Sequence, residues 1–432
     1  MTDESTTERT CDVIVIGGGP AGSTIAALLA EKGWDVAVLE RDQHPRFHIG
    51  ESLLPHNNKL FERLGVLDEV RRVGVVKNGA EFNSPNHAEP RTFYFADAID
   101  NSVQSAFQVH RADLDLILIR NAVSKGAAVF ESTEAIEVTL PDGGAQVLGR
   151  GPHGNCRWRA RFLVDASGRD TVLANLFRTK QANRKHSSAA LYAHYEGAQH
   201  RTGRDAGNIA IYWFDHGWFW FIPLARGVSS VGAVCWPYYL KSRRGSLDQF
   251  LDETTALCPA LAERLRDAHR ITPVTATGNY SYQSARSYGP NCLMIGDSFA
   301  FVDPVFSSGV YLAMAGAFSG ADAVDACLRD PAAAPRVVRA YERHVRGGLR
   351  LFSWFIYRVT TPVMRDLLMR PRNILGVVRG VVSLLAGDIY GARGVRWRIR
   401  VFQLIYYLKS LATPGRSVAA ARRRRANIRP VA

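Results

Sequence analysis

A short apolar run, Asp12-Val13-Ile14-Val15-Ile16, passes directly into Gly17-Gly18-Gly19-Pro20-Ala21-Gly22 and then into an Ala/Leu-rich stretch over residues 23–32. Gly33 ends that helix pattern, and a second apolar run over 35–39 closes on Glu40, 18 residues past Gly22. The sequence is that of a βαβ unit, whose parallel strands must be covered by helices on both faces. Each glycine has a mechanical reason: Gly17 makes the tight turn, Gly19 lets backbone approach a pyrophosphate, and Gly22 permits close helix–strand packing. Glu40 would accept hydrogen bonds from ribose hydroxyls and repel a 2′-phosphate. The unit predicts a dinucleotide site.

At 432 residues the chain is too long for one simple core, so two or three interlocked domains are expected. Residues 41–95 are loop-rich, with Pro45, Pro55, Pro85 and Pro90, and hold one helix pattern over 56–73. Another helix pattern covers 111–125, followed by β-patterned segments to Leu163-Val164-Asp165. Residues 186–275 are aromatic and alternating, as in an antiparallel sheet, and 282–330 return to α/β style. The order predicts an α/β protein. A discontinuous Rossmann-like domain (10–185 and 276–330) carries an inserted antiparallel β-sheet domain (186–275), and a basic helical region (331–432) closes it.

Charge is unevenly placed. Residues 331–432 hold 21 Lys and Arg against Glu342, Asp366 and Asp388, a net +18 within a chain whose total is +14. No apolar run there reaches the ~18 residues of a membrane span. The six cysteines include no CxxC pair, so neither a disulfide framework nor a metal site is expected. The N-terminus has no basic and apolar leader, which predicts a cytoplasmic protein; its basic tail could also contact the inner membrane surface.

A second informative stretch follows the apolar run Cys292-Leu293-Met294-Ile295: Gly296-Asp297-Ser298-Phe299-Ala300-Phe301-Val302-Asp303-Pro304-Val305-Phe306-Ser307-Ser308-Gly309. It places Asp297 at a strand end and Ser307-Ser308-Gly309 at a helix N-terminus, where free amides form an anion site.

Together with the βαβ unit, Arg111 with Asp113, Asp165-Ala166-Ser167-Gly168-Arg169 and Gly296-Asp297 resemble the flavoprotein monooxygenase superfamily. Three further motifs resemble one branch of it, the FADH2-dependent halogenases. Trp218-Phe219-Trp220-Phe221-Ile222-Pro223 matches the family's WxWxIP signature; period two puts Trp218 and Trp220 on one strand face, where they read as packing. Gly50-Glu51-Ser52-Leu53-Leu54-Pro55, followed by Lys77-Asn78-Gly79-Ala80, puts Lys77 where the family carries its active-site lysine. Ser308 and Gly309 occupy the family's halide-binding positions, a geometry that also suits plain helix capping by Ser307 or Ser308.

The resemblance, carried by residues 10–330, makes the Rossmann-like domain an FAD-binding domain and the inserted sheet a substrate domain. It implies FAD contacts at Gly17, Gly19, Gly22, Glu40, Arg41 and Arg111, and along Gly50, Glu51 and Ser52. Asp165, Gly296, Asp297, Pro304 and Gly309 complete the implied cofactor site. It further implies an enzyme that makes hypohalous acid from dioxygen and chloride or bromide at a flavin C4a-hydroperoxide, with Lys77 capturing or orienting the product. No second glycine fingerprint for NAD(P)H appears in 150–432, so reduced FAD is expected from a separate flavin reductase.

Tryptophan halogenases carry a glutamate two residues after the loop proline, where this chain has Phe306. The loop resembles the branch that acts on phenolic and pyrrolic rings in antibiotic or pigment biosynthesis, many of them tethered to acyl or peptidyl carrier proteins. Carrier proteins are acidic, and docking them is one reading of the basic tail. Others are an anionic membrane surface met by an amphipathic helix over 396–411, or a solvated terminus. Nucleic acid binding through Arg422-Arg423-Arg424-Arg425 is disfavoured. Two rivals share the superfamily: an aromatic hydroxylase, and a reductase of isoprenoid double bonds. The reductase leaves Lys77 and the tryptophan motif unexplained.

Overall fold

The computed structural model describes residues 7–183, 186–278, 281–390 and 393–428. Thr7–Ile16 runs parallel to Val36–Leu39 and Gly154–Asp165, and the latter runs parallel to Cys292–Met294. Val13 through Ile16 are at most 5% exposed, so this run needs no polar alternation. Helix Pro20–Glu31 packs against both Arg111–Ser124 and Gly309–Arg329. Cys292–Met294 comes from far down the chain to join this sheet.

Two helices, Pro55–Leu64 and Leu67–Val73, replace the single helix expected over 56–73. Gly65 takes the left-handed conformation (φ 80°) and its amide closes the first helix on Phe61 and Glu62 carbonyls.

The second sheet runs in the order His269–Arg270, Ala189–Glu196, Val228–Cys235, Gly217–Pro223, Ile209–Phe214, Gly79–Asn83, Arg91–Tyr94. It differs from the expected insert in two ways. Gly79–Asn83 and Arg91–Tyr94 come from outside 186–275, and Gly79–Asn83 pairs in parallel with Ile209–Phe214. The Asn208 side chain explains the join, since its Oδ1 accepts both the Asn78 and Gly79 amides, at 2.9 and 2.7 Å. Period two then sorts the aromatics. Trp213, Trp218 and Trp220 face the C-terminal helices, while Tyr212, Phe219 and Phe221 pack on Leu251 and Leu261 of the opposite layer.

Residues beyond 331 fold as helices, among them Ala334–Ile356, Pro362–Met369, Val377–Leu385, Arg393–Ala412 and Pro414–Ile428. Among the described residues no helix is long and apolar enough to cross a membrane, no cluster of ligating side chains could hold a metal, and the six cysteines are free. The Arg424 and Arg425 side chains of the basic run lie outside the described residues.

Close packing reaches into the tryptophan face. A methyl on Gly232 would lie 2.2 Å from the Trp220 ring. Gly232→Ala should displace that ring and cost about 1–3 kcal/mol, read as a lower urea midpoint with an unchanged slope.

Candidate active site

A cleft of about 1030 Å³ opens where the parallel strands end, walled by Gly17, Gly19, Glu40, Arg41, Arg111 and Asp297 among others. Its glycines divide by role. A methyl on Gly17 (φ 100°) would sit 2.5 Å from the Ala166 carbonyl, and one on Gly22 would sit 1.8 Å from the Gly17 carbonyl, so both are fixed by packing. Around Gly19 the nearest atom is Arg46 Nη2 at 3.7 Å, and the space belongs to the cleft. Buried Glu40 accepts the Gly18 amide at 2.6 Å through Oε2 and the Asp42 amide at 2.9 Å through Oε1. A carboxylate has about four acceptor sites, so capacity remains for ribose hydroxyls. Arg41 lies at the exposed rim, 2.6 Å from Asp170.

Arg111 is held by Asp115, bound at 2.9 and 3.0 Å, one helical turn on. Asp113 sits on another face and pairs with Arg226. Asp115 is fully buried and also receives Arg46 at 3.0 Å, while Arg111 Nη1 donates to the Ile49 carbonyl at 2.7 Å. The Arg111 charge pushes His48 down to about 4. Asp165, expected at the cofactor, does not line the cleft. Its carboxylate accepts the Ser167 and Leu173 amides at 2.9 and 2.7 Å, anchoring the turn that does. Asp297 lines the cleft, where desolvation pushes its carboxyl up to about 7.

A second cavity of about 330 Å³ adjoins the first and shares His48, Arg111, Asp297, Gly309 and Val310 with it. Gly50, Glu51, Ser52, Gly296, Pro304 and Ser308 are in its wall. So are Trp218 and Trp220, which therefore shape a cavity and are more than packing; Trp220 is fixed by its Nε1 donating to Ser230 Oγ at 3.1 Å. Glu51 is buried 2.6 Å from His194 Nε2, a pairing that no local sequence pattern announces. Asp303 orders the next turn: it accepts the Val305 amide at 3.2 Å and the Ser188 hydroxyl at 2.9 Å, and lies 2.8 Å from His186. Ser307 (φ 55°) then swings the chain into Gly309–Arg329. No side-chain cap bond forms at Ser308, so capping does not occupy the helix end. First-turn amides have no intrahelical acceptor, and Ser308 and Gly309, at the positive end of the helix dipole, are in the wall of the second cavity. Phe306 is buried, edge-on to Phe355 at 6.3 Å.

Lys77 ends the strand Val75–Lys77 with its neighbours inverted: Val76 is 49% exposed and Lys77 only 1%. Its Nζ donates to Ser52 Oγ and to the Leu53 carbonyl, both at 2.9 Å, and stands 5.4 Å over the Phe95 ring. Among the described residues no carboxylate pairs with it, and burial pushes its pKa from 10.5 down to about 7. Ser52 lines the second cavity and Lys77 stands behind it. The two motifs, 25 residues apart in sequence, thus meet through one hydroxyl.

Residues 10–346 match the family model described as an FAD binding domain. The chain is 31% identical over 377 residues to the flavin-dependent halogenase rdc2 of Metacordyceps chlamydosporia, covering 80% of this chain and 70% of that protein. It is 27% identical to the 1H-pyrrole-2-carbonyl-(peptidyl-carrier protein) chlorinase of Pseudomonas fluorescens, over 92% of this chain and 94% of the relative. Among solved structures, the myxobacterial chondrochloren halogenase CndH superposes with a TM-score of 0.77 at 30% identity, covering 90% of this chain and 99% of that one.

The cleft fits FAD: the open space at Gly19 is one that a Cβ would fill, and Glu40 keeps free acceptor sites beside it. Gly19→Ala should therefore leave the thermal midpoint unchanged while weakening FAD about 10-fold or more, measured by flavin fluorescence titration. Gly22→Ala, clashing with backbone, should lower the midpoint as well. By its sequence and by the cleft that the sequence builds, the chain belongs to the flavin-dependent halogenases, FAD enzymes.

Proposed function

We propose that this halogenase substitutes an electron-rich phenol or pyrrole, presented on an acyl or peptidyl carrier protein, using hypohalous acid directed by Lys77. The buried lysine carries the reading: an amine without a carboxylate partner, beyond a hydroxyl in the cavity wall. Reduced FAD, delivered by a separate flavin reductase, supplies with dioxygen the oxidising equivalents that turn chloride or bromide into hypohalous acid. Gly17, Gly19, Glu40, Arg111 and Asp297 would hold the cofactor. The Ser308 and Gly309 amides would hold the halide, aided by the helix dipole. Trp218 and Trp220 exclude water from the adjoining cavity.

With its pKa near 7, Lys77 is available in both forms around neutrality. The ammonium can hydrogen-bond hypohalous acid and polarise its halogen; the neutral amine can take the halogen as a haloamine. Phe306 leaves the loop without the glutamate of the tryptophan enzymes. A ring that donates density through its own oxygen or nitrogen needs less electrostatic help, which supports phenol or pyrrole. The likeness to a pyrrole-carrier chlorinase supports the carrier-bound form.

The test combines FAD, a flavin reductase, dioxygen and chloride or bromide with free and carrier-bound phenols and pyrroles, and with tryptophan. Mass spectrometry should show a halide-dependent isotope pattern on phenol or pyrrole. Gain of one oxygen without halide would instead establish a hydroxylase. Lys77→Ala should abolish the halogenated product while FAD still binds; retained product overturns the assignment.

Stability supplies an independent check. Between about pH 7 and 10.5 the unfolded chain holds a proton at this lysine that the folded chain has released. Its burial penalty is therefore full below about 7 and vanishes near 10.5. Lys77→Met should be more stable than the natural protein at neutral pH, with the gap closing as pH rises, as read by urea unfolding across that range.

A further inference from the structure

Tyr390 belongs to the wall of the second cavity. On its outer side, His344 stacks at 4.0 Å and 13°, and Arg396 Nη2 donates to the Tyr390 carbonyl at 3.3 Å. Arg343 and Arg350 share a face of the helix Ala334–Ile356 next to that of His344, while Arg393, Arg396 and Arg400 share one face of Arg393–Ala412. All five arginines are exposed, and none has an acidic partner among the described residues. Farther along the tail, by contrast, Lys409 and Arg416 lie within 3.7–3.8 Å of Asp366.

Like charges without acidic partners repel one another, yet they focus positive potential beside a cavity wall. On this helix the exposed leucines, Leu404, Leu408 and Leu411, occupy the opposite end, and Trp397 is the large apolar side chain exposed beside the arginines. A small anionic protein that must bring a tethered ring to this cavity matches the placement better than a lipid sheet. We propose that the arginine patch on the two helices beside Tyr390 is the docking surface for an acidic carrier protein, whose phosphopantetheine arm brings the arene to the second cavity. This rests on the carrier-bound reading above.

The experiment uses the full chain with FAD and a flavin reductase. Its two substrates are a pyrrole-2-carbonyl group loaded on an acidic peptidyl carrier protein and the same ring as a free ester. The triple variant Arg343→Glu/Arg393→Glu/Arg400→Glu should raise KM for the carrier-bound ring about 10-fold or more and flatten its salt dependence. FAD binding and kcat/KM on the free ester should stay unchanged, which also reports folding. Arg422→Glu/Arg423→Glu, of the same sign on the last helix, should change neither substrate. No loss, an equal loss on both substrates, or an equal loss in both variants overturns the docking surface. So does anionic phosphatidylglycerol vesicle binding that disappears in the triple variant while carrier kinetics stay intact. Turnover of the free ester alone overturns the docking surface and leaves the arene reading standing; turnover of neither form sinks that reading and this one with it.

Discussion

Asp115 is the pivot of the catalytic half. Fully buried, it takes Arg111 in a two-pronged bond and Arg46 in a third contact, and those two arginines fix the loop that carries Gly50, Glu51 and Ser52. Arg111 reaches the loop directly through the Ile49 carbonyl. The same loop supplies both acceptors of Lys77 and part of the wall of each cavity. Removing one partner of such a buried pair typically costs about 3–5 kcal/mol because the other charge is stranded. The cost here would reach the flavin cleft, the Ser52 wall and the lysine together.

The lysine is the chief departure from what stability alone would select. A strand with one valine exposed and a lysine enclosed reverses the usual partition of apolar and charged groups. Two hydrogen bonds satisfy Nζ in part, yet no carboxylate offsets the desolvation, and the amine is left near its midpoint at neutral pH. The loop position where tryptophan halogenases carry a glutamate holds Phe306. The phenylalanine, packed on Phe355, keeps its part of the core apolar instead.

Legibility in sequence followed contact distance. The βαβ unit was readable because its cause is local: the Gly17 and Gly22 close approaches lie within a single turn and helix start. The tryptophan strand was readable in part, since period two correctly placed Trp218 and Trp220 on one face but said nothing of the cavity that face borders. Lys77 had to be placed by resemblance, because its two acceptors lie 24 and 25 residues away across a loop. The Glu51–His194 and Asp303–His186 pairs span 143 and 117 residues, and no spacing rule reaches that far. Asp115 was missed for a different reason. It stands one helical turn from Arg111, but the resemblance pointed to Asp113, and only the 3.6-residue period distinguishes the two.

The division of labour between the halves has a physical basis in where each wall comes from. Strand ends and glycine turns of the dinucleotide domain form the large cleft, so its shape is set by backbone packing with little room for side-chain change. The second cavity draws Phe352 and Ile356 from the helix Ala334–Ile356 and Tyr390 from the segment after Val377–Leu385, and these belong with Trp218 and Trp220 to one apolar cluster or pack against it. Substitutions there can reshape the cavity without touching the glycine cradle, whereas substitutions at the cradle cannot leave the cofactor unaffected. The tail that carries the positive charge is thus also the tail that sizes the cavity. A change of ring and a change of docking partner can arise in the same helices while the redox half stays as it is.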